Sequence, residues 1–297
     1  MRQTAIGKSG LRVGIIAYGC WRLASASSAE AHAKLNMALN CGMTLIDTAD
    51  IYGYGEQWGF GGAESLLGVV LSRDKSLRAR MVLATKGGIA PPRPYDSSYD
   101  YLITAIDASL KRLNTDYVDL YQIHRPDLTV PFAETARALN DMVRMGKARH
   151  IGVSNFSVAQ TRALQAYLET PLISTQPEFS ALHQDPITDG TLDWCSETGA
   201  SALAWSTLAA GALATGQSTH PRSADILAVI DRLSESHSAT RTQIALAFTL
   251  HHGASVIPII GTQKLERIEE AAQAAEITLN ARDVYDLIEA YRGQAMP

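Results

Sequence analysis

Short apolar runs alternate along this chain with longer stretches whose apolar residues recur at the spacing of one helix face. Residues 2–13 predict a small hairpin turning at Gly7-Lys8-Ser9-Gly10, and 13–18 predicts an apolar strand. Further strands are expected at 44–46, 81–85, 117–123, 149–153, 172–176, 200–205 and 255–260. Helices are expected at 29–40, closed by Cys41-Gly42, and after 62, where Leu66, Leu67, Val69 and Val70 fall. They follow again at 99–113, from Phe132 to near Gly146, and at 157–168, 187–197, 224–235, 240–251 and 264–275. A last amphipathic helix carries Val284, Leu287, Ile288 and Tyr291.

Strands that alternate with helices imply a parallel sheet, and eight such units imply closure into a (β/α)8 barrel with an N-terminal hairpin and a C-terminal helix. The rival is an open doubly wound sheet. Its dinucleotide fingerprint is missing, because no G-x-G-x-x-G follows the first strand and Gly53-x-Gly55 lacks a third glycine. The 297 residues suit one such barrel, and no linker-like composition divides 1–297 into two domains.

Composition narrows the function class. Apolar residues make up 46% and charged residues 19%, as in a globular protein. A net charge of −4 offers no basic footprint for nucleic acid or an anionic membrane. No apolar run is long enough to cross a bilayer, and residues 1–7 do not read as a signal peptide. Cys20, Cys41 and Cys195 are widely spaced, so a reduced, cytoplasmic protein is expected. No HxH or HExxH set is present, and the adjacent His251 and His252 point to different helix faces, so no metal site is expected.

Candidate chemistry lies at strand ends, where barrels of this kind build their sites. Asp47 ends the run Leu45-Ile46, with Tyr52 in the loop beyond. Lys86 follows 81–85, and His124 follows 117–123. A buried carboxylate needs a cation, and a lysine beside a tyrosine favours the phenolate and lowers the phenol pKa. Such a set protonates a developing alkoxide, with His124 orienting a carbonyl oxygen or assisting the proton transfer. It holds no nucleophile for acyl transfer, and Gly152-Val153-Ser154-Asn155-Phe156 fails the nucleophile-elbow pattern. The plainer readings are a barrel ion pair for Asp47 and Lys86, and a helix N-cap for Ser154 and Asn155.

Four motifs in order carry a resemblance to the aldo-keto reductase superfamily. They are Ile46-Asp47-Thr48-Ala49-x-x-Tyr52-Gly53, Thr85-Lys86, Leu120-x-x-x-His124-Arg125-Pro126-Asp127, and Gly146-Lys147-x-Arg149-x-Ile151-Gly152-Val153-Ser154-Asn155-Phe156. The resemblance spans about residues 4–275. It implies Asp47, Tyr52, Lys86 and His124 as a catalytic tetrad with Tyr52 the general acid, and a nicotinamide cofactor held without a Rossmann motif. It further implies that Ser154, Asn155 and Gln176 grip the carboxamide and that Trp205 stacks under the ring. Ser206, Thr207, Leu208 and Gly211 would embrace the pyrophosphate, and Gly261, Thr262, Arg267 and Glu270 the adenosine end. Gly19, Cys20 and Trp21, beside Asp47, join the cofactor-binding set.

Many members carry lysine where this chain has Gly261 and asparagine where it has Ala271. Arg267 still suits a 2′-phosphate, so NADP(H) is favoured and NAD(H) stays open. Trp21, Tyr54, Trp58 and Phe60, with His124, are expected to wall a pocket for aromatic or apolar carbonyls. The expected activity is reduction of an aldehyde or ketone, with a small-molecule substrate, no nucleic-acid or membrane partner, and a monomer or small homo-oligomer. The alternative is a cofactor-binding regulatory or scaffold subunit of the same fold. A metal-dependent barrel hydrolase or lyase lacks its ligands.

Overall fold

The computed structural model describes residues 1–297. Its first strands, β1 (Gln3–Ala5) and β2 (Arg12–Gly14), pair antiparallel as the expected hairpin. Eight parallel strands then close a barrel: β3 (Ala17–Gly19), β4 (Leu45–Asp47), β5 (Val82–Gly87), β6 (Val118–Ile123), β7 (Ala148–Ser154), β8 (Leu172–Gln176), β9 (Ser201–Ala204) and β10 (Val256–Ile260). β10 pairs with both β3 and β9, which completes the ring.

Around it run α1 (Ser28–Asn40), α2 (Gly62–Arg73), α3 (Ser76–Ala79), α4 (Tyr99–Leu113), α5 (Phe132–Arg144), α6 (Val158–Gln165), α7 (Asp185–Thr188), α8 (Thr191–Thr198), α9 (Ala212–Thr215), α10 (Ser223–Ser236), α11 (Arg241–Leu250), α12 (Leu265–Gln273) and α13 (Ala281–Arg292). None is long and apolar enough to cross a membrane. Capping boxes start α1 at Ser27, α6 at Ser157, α11 at Thr240 and α13 at Asn280, each side chain accepting from the third helical N–H.

Three local expectations change. The apolar run 13–18 is split between β2 and β3. Gly14 crosses so close to the turn before β4 that an added Cβ would lie 2.0 Å from the Gly42 carbonyl oxygen, and the chain bends there into the barrel. The helix expected at 187–197 is two, broken at Gly190, whose φ of 87° no helix continues. Lys86 and Ser154 lie within β5 and β7 rather than past them.

Two apolar layers result. A small inner cluster of Ile6, Val13, Ala17, Leu45, Ala84, Leu120, Ile173, Leu203, Ile257 and Ile259 fills the barrel, and the hairpin's Ile6 and Val13 belong to it. A cluster of 62 buried residues packs strands against helices. Side chains on a strand return to the same face every second residue. One step up the inward face therefore takes Leu45 to Asp47, Ala84 to Lys86 and Leu120 to Gln122, and the interior turns from apolar to polar there.

Between the strands and the outer helices, α2 and α4 are in intimate contact. A Cβ on Gly68 would stand 1.9 Å from the Arg112 carbonyl oxygen. Alanine in a helix interior normally gains about 1 kcal/mol over glycine. Here the sign should reverse: Gly68→Ala should lower stability by about 1–3 kcal/mol through overpacking, read as a lower midpoint in thermal or denaturant unfolding.

Candidate active site

The polar layer centres on Lys86, which is fully buried. Its Nζ donates to Asp47 Oδ2 at 2.7 Å, to the Thr48 carbonyl at 2.8 Å and to the Tyr52 hydroxyl at 3.1 Å, so its three protons are all directed. Asp47, 2% exposed, also accepts from Gln176 Nε2 at 3.0 Å and Gln122 Nε2 at 3.4 Å. Burial pulls the Lys86 pKa down, but the Asp47 charge and the hydrogen bonds of Asp47 and Tyr52 outweigh it and lift it to about 12. The lysine is therefore a permanent cation.

Backbone geometry brings Tyr52 to it. The Asp50 N–H donates to the Lys86 carbonyl at 3.0 Å and the Thr48 N–H to the Ala84 carbonyl at 2.9 Å, which docks the turn after β4 along the edge of β5. His124 follows β6 directly, its N–H on the Gly87 carbonyl, and its ring meets Tyr52 edge-on, 5.8 Å between centroids at 79°. Burial, then the Lys86 and Arg125 charges, hold His124 well below its ordinary pKa, so the imidazole is neutral.

For Tyr52 the net direction differs from the sequence expectation. Burial raises the phenol pKa. Lys86 lowers it, and Asp47 raises it again, so the phenol stays protonated at neutral pH. The lysine's pull is real but smaller than the cost of a buried phenolate.

The remaining expected residues fall into groups. Ser154 Oγ donates to the Gln176 carbonyl at 2.9 Å, and Asn155 Nδ2 to Ser154 Oγ at 2.8 Å and the His124 carbonyl at 3.1 Å. Trp205 Nε1 donates to Asn155 Oδ1 at 3.1 Å. These residues thus form one chain of hydrogen bonds from the histidine to the tryptophan. Gln176 turns its amide to Asp47.

Beyond Trp205, Ser206, Ala209, Ala210 and Gly211 all have positive φ, with Thr207 buried and Leu208 half-buried between them. Three non-glycine residues held there cost of order 1 kcal/mol or more each, the kind of strain that recurs at ligand sites. Gly261 leaves open space where a side chain would be, and Thr262 follows it. Arg267, exposed on the first turn of α12, makes no ion pair. Glu270 accepts from Thr240 Oγ1 at 2.6 Å and ties α12 to α11. Gly19 pairs with Asp47 in register, and Cys20, buried, donates its N–H to the Asp47 carbonyl.

The aromatic residues are more scattered. Trp21 is 59% exposed beneath Arg22. Tyr54 and Phe60 meet each other edge-on, Phe60 lies under Arg112, and Trp58 lies against Gly62. Sequence reasoning passed over Arg125, which follows His124, makes no ion pair, and shares a cleft of about 350 Å3 with Asn155, Trp205, Glu178, Asp185 and Asp189. Its place beside the histidine was the available signal.

A neutral histidine, a protonated tyrosine and a locked lysine converge on one point at the C-terminal mouth of a (β/α)8 barrel. The profile of the Aldo/keto reductase family matches residues 15–292, and the chain belongs to that family. It is 44% identical to a 6-dehydroglucose reductase of Novosphingobium aromaticivorans over 98% of this chain and 96% of that one. It is 35% identical to a 6-dehydroglucose reductase of Agrobacterium fabrum, over 93% and 94%. The crystal structure of the thermostable aldo-keto reductase Tm1743 with the inhibitor epalrestat superposes with a TM-score of 0.84 at 28% identity, covering 98% of this chain and all of that one.

The depressed His124 pKa has a sign for stability. Above the unfolded value of about 6.5 both states are neutral, whereas below it the unfolded chain takes up a proton that the folded chain refuses. Stability is therefore lost as pH falls from about 6.5 toward the folded pKa. His150 and His252 are lowered by burial too, so the wild-type slope is shared. His124→Gln should unfold with a shallower loss between about pH 6.5 and 5 than wild type, in denaturant titrations at several pH values.

Proposed function

We propose that this protein reduces the aldehyde of a sugar-type substrate with NADPH, Tyr52 supplying the proton. The observation that carries the reading is the 3.1 Å bond from Lys86 Nζ to the Tyr52 hydroxyl beside the neutral His124 ring. The cofactor, when bound, supplies the hydride. Tyr52 gives its proton to the carbonyl oxygen as charge develops there, and Lys86, held by Asp47, stabilises the phenolate left behind. His124 stays neutral, so it orients the oxygen as a hydrogen-bond donor and leaves the tyrosine as the acid.

The residues present fit a nicotinamide dinucleotide. Amide and hydroxyl groups from Ser154, Asn155 and Gln176 suit a carboxamide, and Trp205 offers an aromatic face. The turn at 206–211 offers the Ser206 and Thr207 hydroxyls and a strained backbone where the family resemblance puts the pyrophosphate, while the Ala209 and Gly211 N–H groups close the turn on the Ser206 and Leu208 carbonyls. Arg267 and Lys264, neither ion-paired, support the 2′-phosphate of NADPH over NADH.

A sugar aldehyde is polar and departs from the aromatic or apolar carbonyl expected from loop 53–62. It is favoured by the two 6-dehydroglucose reductases among the relatives and by the polar cleft that Arg125 shares with Asn155 and Trp205. Three unbridged cysteines accord with a cytoplasmic setting.

Tyr52→Phe should lose about a hundredfold or more in kcat while tryptophan quenching still reports cofactor binding; near-normal turnover would sink the assignment. Arg267→Ala should weaken NADPH binding by about 1.5–3 kcal/mol and leave NADH unaffected, measured by the same quenching titration. Equal loss for both cofactors would refute the phosphate role.

A further inference from the structure

Behind Lys86, in the layer between the barrel and α2 and α4, lies a buried polar cluster that the reaction leaves unused. Asp50 is 1% exposed, and neither of its carboxyl oxygens is hydrogen-bonded to a protein group; the hydroxyl of fully buried Tyr121 is equally without a protein partner. Both groups flank Gly87: a Cβ there would stand 2.1 Å from the Tyr121 hydroxyl and 3.3 Å from Asp50 Oδ2. Their neighbour Glu64 is satisfied, accepting from Thr85 Oγ1 at 2.5 Å and from Arg112 Nε at 2.7 Å. Buried polar groups find partners or an ordered water, since leaving one unmade costs about 1–3 kcal/mol.

We propose that Asp50 is a positioning residue: with the Tyr121 hydroxyl and one buried water at Gly87, it clips the Tyr52 turn onto β5 and so holds Tyr52 against Lys86. Two features of the backbone make Asp50 suited to this. It stands midway between β4 and Tyr52, and its own N–H is already on the Lys86 carbonyl. An anchor from its side chain to β6 adds a second direction of restraint to the two backbone bonds that dock the turn on β5.

The charge environment agrees. Burial pushes the Asp50 carboxyl well above its ordinary value, and the Glu64 carboxylate adds to this. Arg112, the adjacent Ile51 N–H, which lies outside hydrogen-bond geometry with the carboxyl, and Lys86 oppose it without prevailing. From α4, Tyr101 also faces Tyr121, and both phenols are raised by burial, so neither offers a charge. A protonated Asp50 donates one hydrogen bond and accepts others. As pH rises through its raised folded pKa it loses the donor and places a second carboxylate behind Lys86, so the clip should weaken as pH rises through that value.

The inference rests on Tyr52 being the acid. The test compares kcat against pH, with cofactor binding read by tryptophan quenching, for wild type, Asp50→Asn, Asp50→Ala and Tyr121→Phe. Asp50→Asn keeps a neutral donor and acceptor in the same shape. It should retain kcat near neutral pH within about threefold and hold its rate to higher pH than wild type. Asp50→Ala should lose about tenfold or more in kcat at every pH with cofactor binding unchanged, as expected for a misplaced acid. Tyr121→Phe should lose kcat in the same direction, and it carries the test if Asp50→Ala does not fold.

Three results would overturn the proposal: Asp50→Asn falling as far as Asp50→Ala, an Asp50→Asn profile superposable on wild type at every pH, or full activity in both Asp50→Ala and Tyr121→Phe. A residue that merely stabilises the fold would lower unfolding midpoints without moving the pH profile. If Tyr52→Phe were active, the acid assignment would fail; if it were dead while every Asp50 variant behaved as wild type, only the clip would fail.

Discussion

One ammonium group organises the mouth of this barrel. Lys86 is fully buried, and an ion taken out of water costs several kcal/mol before any partner is counted. Asp47 and the Thr48 carbonyl must stand where they do to offset that cost, and the third proton is left for Tyr52. The same set of bonds therefore satisfies the buried charge and fixes the Tyr52 hydroxyl at the barrel mouth. Gln122 and Gln176 complete the arrangement by occupying the remaining oxygen of Asp47, which leaves the carboxylate no freedom to turn away from the lysine.

The gradient inside the barrel explains why this happens at one end only. Ile6, Leu45, Ala84 and Leu120 fill the interior with apolar volume, and the hairpin contributes Val13 to the same cluster. One pleat later the inward positions are Asp47, Lys86 and Gln122. Apolar packing beneath keeps water from reaching the ion pair from below, which strengthens each charge–dipole contact above it. The loops then differ in character from the strands. Strained residues at Ser206, Ala209 and Ala210, and Asn155 at a φ of 59°, lie in loops just past strand ends, where a ligand has backbone groups to meet.

Much of this was legible in the chain. Alternating strand and helix periods revealed eight units, because a closed parallel sheet buries both faces of every strand and leaves continuous apolar runs. Four strand-end residues of complementary chemistry, Asp47, Tyr52, Lys86 and His124, are ones that the fold brings together. What stayed hidden were local bends and net energies. The run 13–18 looks continuous, yet Gly14 must clear the Gly42 carbonyl, a contact between segments that no local pattern records. The aromatic loop 53–62 promised a pocket wall by composition, whereas Phe60 is paired with Tyr54 and Arg112.

The sequence by itself determined the architecture and the chemical character of the groups that meet at the barrel mouth, because hydrophobic period and residue chemistry are local properties that survive being read one letter at a time. Only the tertiary structure decided their electrostatic state. Whether Tyr52 is raised or lowered depends on burial set against Lys86 and Asp47 together. His124 is neutral because two cations and a dry surrounding converge on it. Asp50, one acid among 30 acidic residues in the chain, is set apart by burial among β5, β6, α2 and α4 with no protein hydrogen-bond partner for its carboxyl. Solvation and charge–charge energies are sums over neighbours in space, and the chain names those neighbours only when it folds.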